Sequence, residues 1–229
     1  MVRMNKPGGD MLPVLHIDVV SDPVCPWCFV GKRRLERALA ENPGLEARIR
    51  WLPFQLNPDM PPEGRLRSEH YATLFGAERA EQIRATMRDT GREEGIEFGD
   101  DPAAKSPNTL AAHALVYSAA RTPAVDAANV VERLFVAHHV ECEDIGDISV
   151  LARFGAEAGM DAGQVEHDLR AGTHTKAVQA LIATARQRGV TGVPFFVVND
   201  RYGVSGAQPP EVLADLFGQV LAAVEKSAG

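Results

Sequence analysis

The sequence predicts an α/β fold in which a β-α-β unit is separated from a β-β-α unit by a long helical stretch. Three observations carry this prediction. Val14 to Val20 and Ala47 to Phe54 are short apolar runs of strand character on either side of a helical pattern. Helical patterns then follow one another from His70 to Arg188. Strand character returns at Phe195–Val198, with a turn signal directly after it.

Taken in order, Val14 to Val20 is β-branched and short enough to be a buried strand. A helix is expected from Pro26 to Ala40, with Leu35 and Leu39 on its apolar face and Asn42-Pro43-Gly44 as its stop. Two strands joined by that helix imply a parallel crossover. Asn57 to Glu63 reads as a Pro-rich loop. Helices are expected at His70–Phe75, Ala77–Gly95, Pro107–Arg121, Pro123–His139, Asp147–Gly159, Asp161–Ala171 and Thr173–Arg188. Ser106, Asp147, Asp161 and Thr173 are the expected N-caps, and Gly159, Gly172 and Gly189 the stops. Asn199-Asp200 turns the chain so that Tyr202–Ser205 pairs back as a hairpin. The last helix opens at Pro209-Pro210 and runs to Lys226. This divides the chain into a discontinuous domain (residues 14–60 and 187–226), a helical insertion (61–186) and a flexible N-terminus (1–13).

The 229 residues suit one compact domain carrying an insertion, at ~100–200 residues per domain. With 45% apolar and 24% charged residues, disorder is excluded as the main state. A formal charge of -7 argues against nucleic acid or an anionic membrane as partner. The N-terminus lacks the apolar run of a signal peptide, and no stretch approaches the ~18 apolar residues of a membrane span. A cytoplasmic protein, monomeric or homodimeric, is expected.

Chemistry is carried by the cysteines. There are three, Cys25, Cys28 and Cys142, too few and odd in number for a disulfide scaffold. Cys25-Pro26-Trp27-Cys28 lies between a strand and a helix, the setting of a thiol redox site. Residues three apart on a first helical turn share a face, so the two sulfurs can meet. Cys25 at the helix N-terminus has unpaired N–H groups and the positive dipole end beside it, which favour an anion and make it the expected nucleophile. Cys28, one turn in and less exposed, would resolve the mixed disulfide. Pro26 suits the first helical position, and Trp27 offers a flat apolar surface to a polypeptide or aromatic substrate. A zinc half-site is the alternative, but a second ligand pair of finger spacing is missing, so no metal is expected.

The segment Ser21-Asp22-Pro23-Val24-Cys25-Pro26-Trp27-Cys28-Phe29-Val30-Gly31-Lys32 resembles the opening of the DsbA family, especially its FrnE-like branch. Gly189-Val190-Thr191-Gly192-Val193-Pro194-Phe195-Phe196-Val197-Val198 resembles that family's cis-proline loop, and Ser205-Gly206-Ala207-Gln208 its turn before the last helix. Phe54-Gln55-Leu56-Asn57-Pro58 and Pro107-Asn108-Thr109 with His113 are weaker matches in the expected order. The resemblance runs from about Leu15 to Val224. It implies a thioredoxin fold with an all-helical insertion between the second and third strands. It also implies dithiol–disulfide exchange with protein disulfides or thiols. The residues alone leave the Val193-Pro194 bond open between cis and trans; the resemblance implies cis, beside Cys25, with the Val193 backbone turned to the substrate.

The sequence departs from the family at two places, one of them the Pro26-Trp27 dipeptide, which lacks the histidine of DsbA. The buried acid expected six residues before the first cysteine is replaced by Val19, and the neighbouring Asp18 should point to the other face of its strand. The proton acceptor for Cys28 is left between water and Asp22. A related group, the kappa-class glutathione transferases and hydroxychromene carboxylate isomerases, suggests the competing function: a glutathione-dependent isomerase or transferase acting on an aromatic or polyketide-like small molecule. Retention of both cysteines argues against it. In either case no cofactor is expected to be bound, glutathione is the candidate co-substrate, and Asn108, Ser205 and Gln208 are the candidate contacts to it, with Asn108 also suited to capping its helix.

The other charged and polar groups read as surface features. Lys32 and Glu36 are spaced as a solvated i,i+4 pair. His138-His139 is a helix end whose negative pole suits histidine. Glu141, Glu143, Asp144 and Asp147 form an acidic loop. Phe29, Phe195 and Phe196 are expected in the core. Cys142, in the loop after His139, reads either as a third reactive thiol or as a reduced spectator.

Overall fold

The computed structural model describes residues 14–228, with side chains to residue 224; the expected flexible segment 1–13 lies outside them. The chain runs β1 (Val14–Ser21), α1 (Pro26–Ala40), β2 (Glu46–Pro53), β3 (Arg65–Leu66), α2 (Arg67–Phe75), α3 (Ala77–Glu93), β4 (Lys105–Ser106), α4 (Leu110–Ala119), α5 (Ala127–His139), α6 (Ile148–Glu157), α7 (Ala162–Ala171), α8 (Thr175–Gln187), β5 (Phe195–Val198), β6 (Tyr202–Ser205) and α9 (Pro210–Ala228).

The main sheet has the order β2-β1-β5-β6. β1 is parallel to β2, with Ile17 opposite Ile49, and antiparallel to β5, with Val19 opposite Phe196. The β5–β6 hairpin closes through Asn199 (φ 49°), Asp200 (φ 55°) and Arg201; the first two are left-handed and form the centre of a turn in which Arg201 N–H donates to the Val198 carbonyl at 3.2 Å. Period-two alternation sorts the β1 side chains. Leu15, Ile17 and Val19 join Leu35 and Ala38 of α1 and Leu213, Phe217 and Val220 of α9 in one cluster. Val20 turns the other way, to Phe54, Ala185 and Val190. Hence α1 and α9 cover one face of the sheet, and α8 meets the other.

The insertion lies between β2 and β5. It is helical except for a two-residue antiparallel ladder in which Arg65 pairs Ser106 and Leu66 pairs Lys105. Its core is continuous with the framework: Val24, Cys25, Cys28, Phe29 and Val30 share one apolar cluster with Leu115, Leu134, Phe135, Ile145 and Phe154. The Phe29 and Phe135 rings stack at 5.2 Å with an interplanar angle of 2°.

Two expected caps hold: Asp147 accepts from Ser149 N–H, and Asp161 from Gln164 N–H. Two do not. Ser106 lies in β4, because the proline after it disfavours helical backbone, and α4 starts only at Leu110. Thr173 precedes the true N-cap, His174, and its hydroxyl bonds the Asp168 carboxylate. α5 starts later than expected, at the cap Asp126, because Ala124 takes a left-handed φ of 65°. Among the described residues no helix is long and apolar enough to cross a membrane.

Candidate active site

Cys25 is the N-cap of α1, with extended backbone (φ -86°, ψ 112°), and its carbonyl accepts the N–H of Cys28 at 3.0 Å. Its side chain makes no capping bond, so the sulfur at the helix N-terminus is not tied to the helix's own N–H groups. The Cys25 thiol donates to the Val193 carbonyl, 3.6 Å away. The Val193-Pro194 bond is cis, as the resemblance implied. The loop around it is held from two sides. Gly206 N–H donates to the Pro194 carbonyl at 2.8 Å. On the helix side, Gly31 of α1 lets the proline ring approach so closely that a Cβ there would lie 2.9 Å from Pro194 Cγ.

Trp27 is exposed beside this pair. The cysteines are not: Cys25 is 4% exposed and Cys28 1%, so the nucleophile is almost as covered as its partner. Cys28 is the less exposed of the two, as expected, and the insertion, whose core closes over this end of α1, covers Cys25 as well. Burial, with the adjacent Cys25 thiol adding to it, raises the Cys28 thiol well above its ordinary range. The Ser21 side chain and the Asp22 backbone N–H lie near enough to favour its thiolate, though less strongly, and Ser21 Oγ forms no hydrogen bond of normal geometry.

The position of the missing acid, Val19, belongs to the apolar cluster with α1 and α9. Asp18 does point away, and Arg50 Nε donates to it at 2.7 Å. Asp22 is fully buried. One of its carboxylate oxygens accepts Leu56 N–H at 2.8 Å, and the other lies 3.5 Å from His113 Nε2.

Lys32, Arg33 and Arg34, which follow the site along α1, are engaged in ion pairs. Lys32 is buried, not solvated, and pairs with Glu36 and, at 2.6 Å, with Glu132 of α5. Arg33 also holds Glu132, while Arg34 (2.6 Å) and Arg37 (3.0 Å) grip Glu94 just past α3. These pairs bind α1 to the insertion. His138 and His139 are buried rather than exposed at the helix end. Burial, with Arg67 adding, pushes His139 down to about 3, and His138 falls well below the ordinary histidine range, so both are neutral at pH 7. His139 Nε2 donates to the Pro23 carbonyl at 2.9 Å. The acidic loop is an ion-pair network, with Glu141 and Glu143 on Arg133 and Asp144 on Lys105.

Of the remaining candidates, Ser205 and Gln208 lie in the turn that holds Pro194, and Gln208 Nε2 donates to the Ser205 carbonyl at 2.7 Å. Asn108 is occupied elsewhere: its amide donates to the Met60 carbonyl and its oxygen accepts from Gln55 and from Leu110 N–H. It sits one residue before the N-cap Thr109. Cys142 is a half-buried free thiol with φ 59°.

Sequence reasoning missed a cleft of about 310 Å³ beside Pro26, lined by Arg67, Tyr71, Met87, Phe98 and His138. Burial raises the Tyr71 hydroxyl above the usual tyrosine range, with Arg67 opposing and Cys25 adding. The expected helix at His70 in fact begins three residues earlier and brings Arg67 into this wall; Glu69 in its first turn was the start signal. Among the described residues no three His, Cys, Asp or Glu side chains converge as a metal site.

Comparison with known proteins agrees with this geometry. The DsbA-like thioredoxin domain matches residues 16–218. The Bacillus subtilis protein YwbO is 27% identical over 187 residues, 81% of this chain and 88% of its own. The structure of the probable DsbA oxidoreductase from Streptomyces coelicolor superposes with a TM-score of 0.79 at 28% identity, covering 90% of this chain and 89% of that one. A 2-hydroxychromene-2-carboxylate isomerase shares the fold at a TM-score of 0.70 and 18% identity, over 93% of this chain and 100% of its own. Over most of its length, then, the chain belongs to the DsbA-like thioredoxin family of thiol oxidoreductases.

Proposed function

We propose that the protein exchanges disulfides with polypeptide substrates through Cys25 and Cys28, with glutathione as an accessory thiol in the cytoplasm. The observation that carries this is the placement of Cys25 Sγ at a helix N-terminus, 3.6 Å from the Val193 carbonyl and flanked by exposed Trp27. A polypeptide laid across this surface would pair its backbone with Val193 and set a disulfide sulfur beside Cys25. Cys25 thiolate attacks that sulfur. Cys28 then attacks Cys25, releasing the substrate thiol and leaving Cys25–Cys28 oxidised; the reverse direction oxidises substrates, and Cys25 alone suffices for isomerisation.

Trapping tests this. Cys28→Ala in cells should accumulate reducible conjugates of Cys25 with other proteins, and Cys25→Ala should accumulate none. Conjugates with glutathione alone would refute polypeptide substrates. The second function, a glutathione-dependent isomerase or transferase acting on an aromatic or polyketide-like small molecule, has one observation in its favour: the cleft beside Pro26, with an arginine and aromatic rings on its wall. Turnover of such a substrate with glutathione, surviving both Cys25→Ser and Cys28→Ser, would favour it.

A further inference from the structure

The exchange reading leaves one proton without a destination. Cys28 must lose its proton before its sulfur can attack Cys25, yet burial and the neighbouring thiol hold that proton in place. Val19 cannot take it, and Asp18 is engaged by Arg50. The buried polar groups that remain are Ser21, beside Cys28, then Asp22 and, 3.5 Å from its carboxylate, His113.

A cavity of about 550 Å³ lies between the edge strand β2 and helices α4 and α5. Its walls are mostly apolar, among them Val116, Val131 and Leu134, and exposed Ile49 and Arg121 stand at its rim. Its inner end is formed by buried Ser21, Pro23 and His113. None of Pro26, Trp27, Val193 and Pro194 lines it. A space of this size beside polar groups admits water, which occupies ~30 Å³ per molecule in the liquid.

The polar groups at its inner end are incompletely satisfied. Ser21 Oγ has no hydrogen-bond partner within the protein, although it lies beside Cys28. Asp22 Oδ2 accepts Leu56 N–H, while Oδ1 has no partner. His113 Nε2 lies 3.5 Å from Oδ1 but donates to the Phe54 carbonyl at 2.8 Å. Buried polar atoms without partners are costly and call for an explanation. A carboxylate oxygen with no donor is a seat for a proton.

Resting on the exchange reading, we infer that Asp22 accepts the Cys28 proton through the Ser21 hydroxyl and trades it with solvent through the cavity beside His113, apart from the substrate face. When the disulfide closes, the Cys28 S–H bond breaks and its proton passes to Ser21 Oγ as the Ser21 hydroxyl proton passes to a water admitted from the cavity, which in turn gives a proton to Asp22 Oδ1, since the two side chains are not hydrogen-bonded to each other. Cys28 sulfur bonds Cys25 sulfur, and the bond from Cys25 to the substrate sulfur breaks. The electron pair leaves on the substrate thiolate, which takes a proton from solvent. The two cysteines are oxidised, the substrate disulfide is reduced, and Asp22 returns its proton to water in the cavity. The ionisable groups facing this station are Cys25 and Cys28 from α1, His113 from α4, His139 from α5 on the Pro23 carbonyl and Arg186 from α8 on the Gln55 carbonyl. Arg50, Tyr117, Arg121 and Asp126 stand further along the cavity.

Ellman's reagent separates the two chemical steps, because Cys25 attack releases one thionitrobenzoate and closure by Cys28 a second. The reduced protein is used with Cys142→Ser, so that the third thiol is silent. The isosteric Asp22→Asn should leave the first release within twofold. It should slow the second about 10²-fold at pH 7, the lower end of what a positioned base contributes, and make it rise in proportion to hydroxide. Asp22→Glu should recover part of the rate. Ser21→Ala, which deletes only an unpartnered hydroxyl, should slow the second release in the same way and keeps the test available if Asp22→Asn does not fold. An unchanged second release in both variants, or equal slowing of both releases with a lowered melting temperature, overturns the relay alone. A parent protein that releases a single equivalent overturns the exchange reading, and the relay with it.

Discussion

Gly31 is where helix propensity and site geometry oppose each other. In the middle of α1 a glycine costs about 1 kcal/mol relative to alanine. Gly31→Ala would recover that amount but place its Cβ 2.9 Å from Pro194 Cγ and 3.3 Å from Phe196 Cζ. The proline ring cannot swing aside, because it is part of a backbone held by Gly206 N–H at 2.8 Å, and Phe196 is buried in the sheet. Overpacking of this kind costs about 1–3 kcal/mol, so the net effect is a destabilisation of about 1 kcal/mol, or about 2–4 °C in Tm for a chain of this size. Gly218 supplies the control. It is an exposed glycine inside α9, and a Cβ there would meet nothing within 4 Å, so Gly218→Ala should raise Tm by a similar amount. Urea and thermal melts of the two variants isolate the packing cost. The Cys25 attack rate should fall in Gly31→Ala alone, since the strain is relieved by moving Pro194 outward. If Gly31→Ala stabilises as much as Gly218→Ala, with an unchanged attack rate, the close approach does not position the site.

Two further outcomes follow from the buried charges. The folded-state values of His138 and His139 are depressed, so these groups stabilise the fold above the unfolded histidine value and that stability is lost as pH falls. The loss should begin near pH 6.5 and continue to about 3 for His139, with a slope of about 1.4 kcal/mol per pH unit for each proton, and His139→Gln should remove one proton from the slope of stability against pH. Glu94→Gln should weaken the grip on Arg34 and Arg37 and lower stability by about 2 kcal/mol, the range of hydrogen bonds to charged groups, with faster hydrogen exchange in α1 as the local signature.

What could be read from the residues alone follows from locality. The bounds of α1, the β5–β6 hairpin and the caps Asp147 and Asp161 depend on signals within a few positions, and they appear where the sequence puts them. Cys25, Cys28 and Trp27 were legible for the same reason, because a CxxC pair at a helix start is a local arrangement. Features decided by tertiary packing were not. Lys32 looks solvated beside Glu36, until α5 brings Glu132 to it. His138 and His139 suit a charged helix end, but folding buries them against Phe29, Phe135 and Arg67 and keeps them neutral. The β3–β4 ladder joins two residues to two others some forty positions away and leaves no periodicity to detect. Asp22 and His113 stand 91 positions apart in the numbering and carry no shared signal, although Asp22 lies in the opening segment of the resemblance and His113 in one of its weaker blocks.

The distance along the chain between Cys25 and the carbonyl that receives its thiol, 168 residues, has a consequence for biosynthesis. At ~5–20 residues per second, the ribosome needs roughly ten to thirty seconds to deliver the second after the first. Throughout that interval β1, α1 and β2 can assemble while the β1 edge that will receive β5 stands open. The cysteine pair is therefore made before the loop whose carbonyl receives the Cys25 thiol exists. The length of the insertion thus sets how long the newborn pair stands without the loop that packs against it.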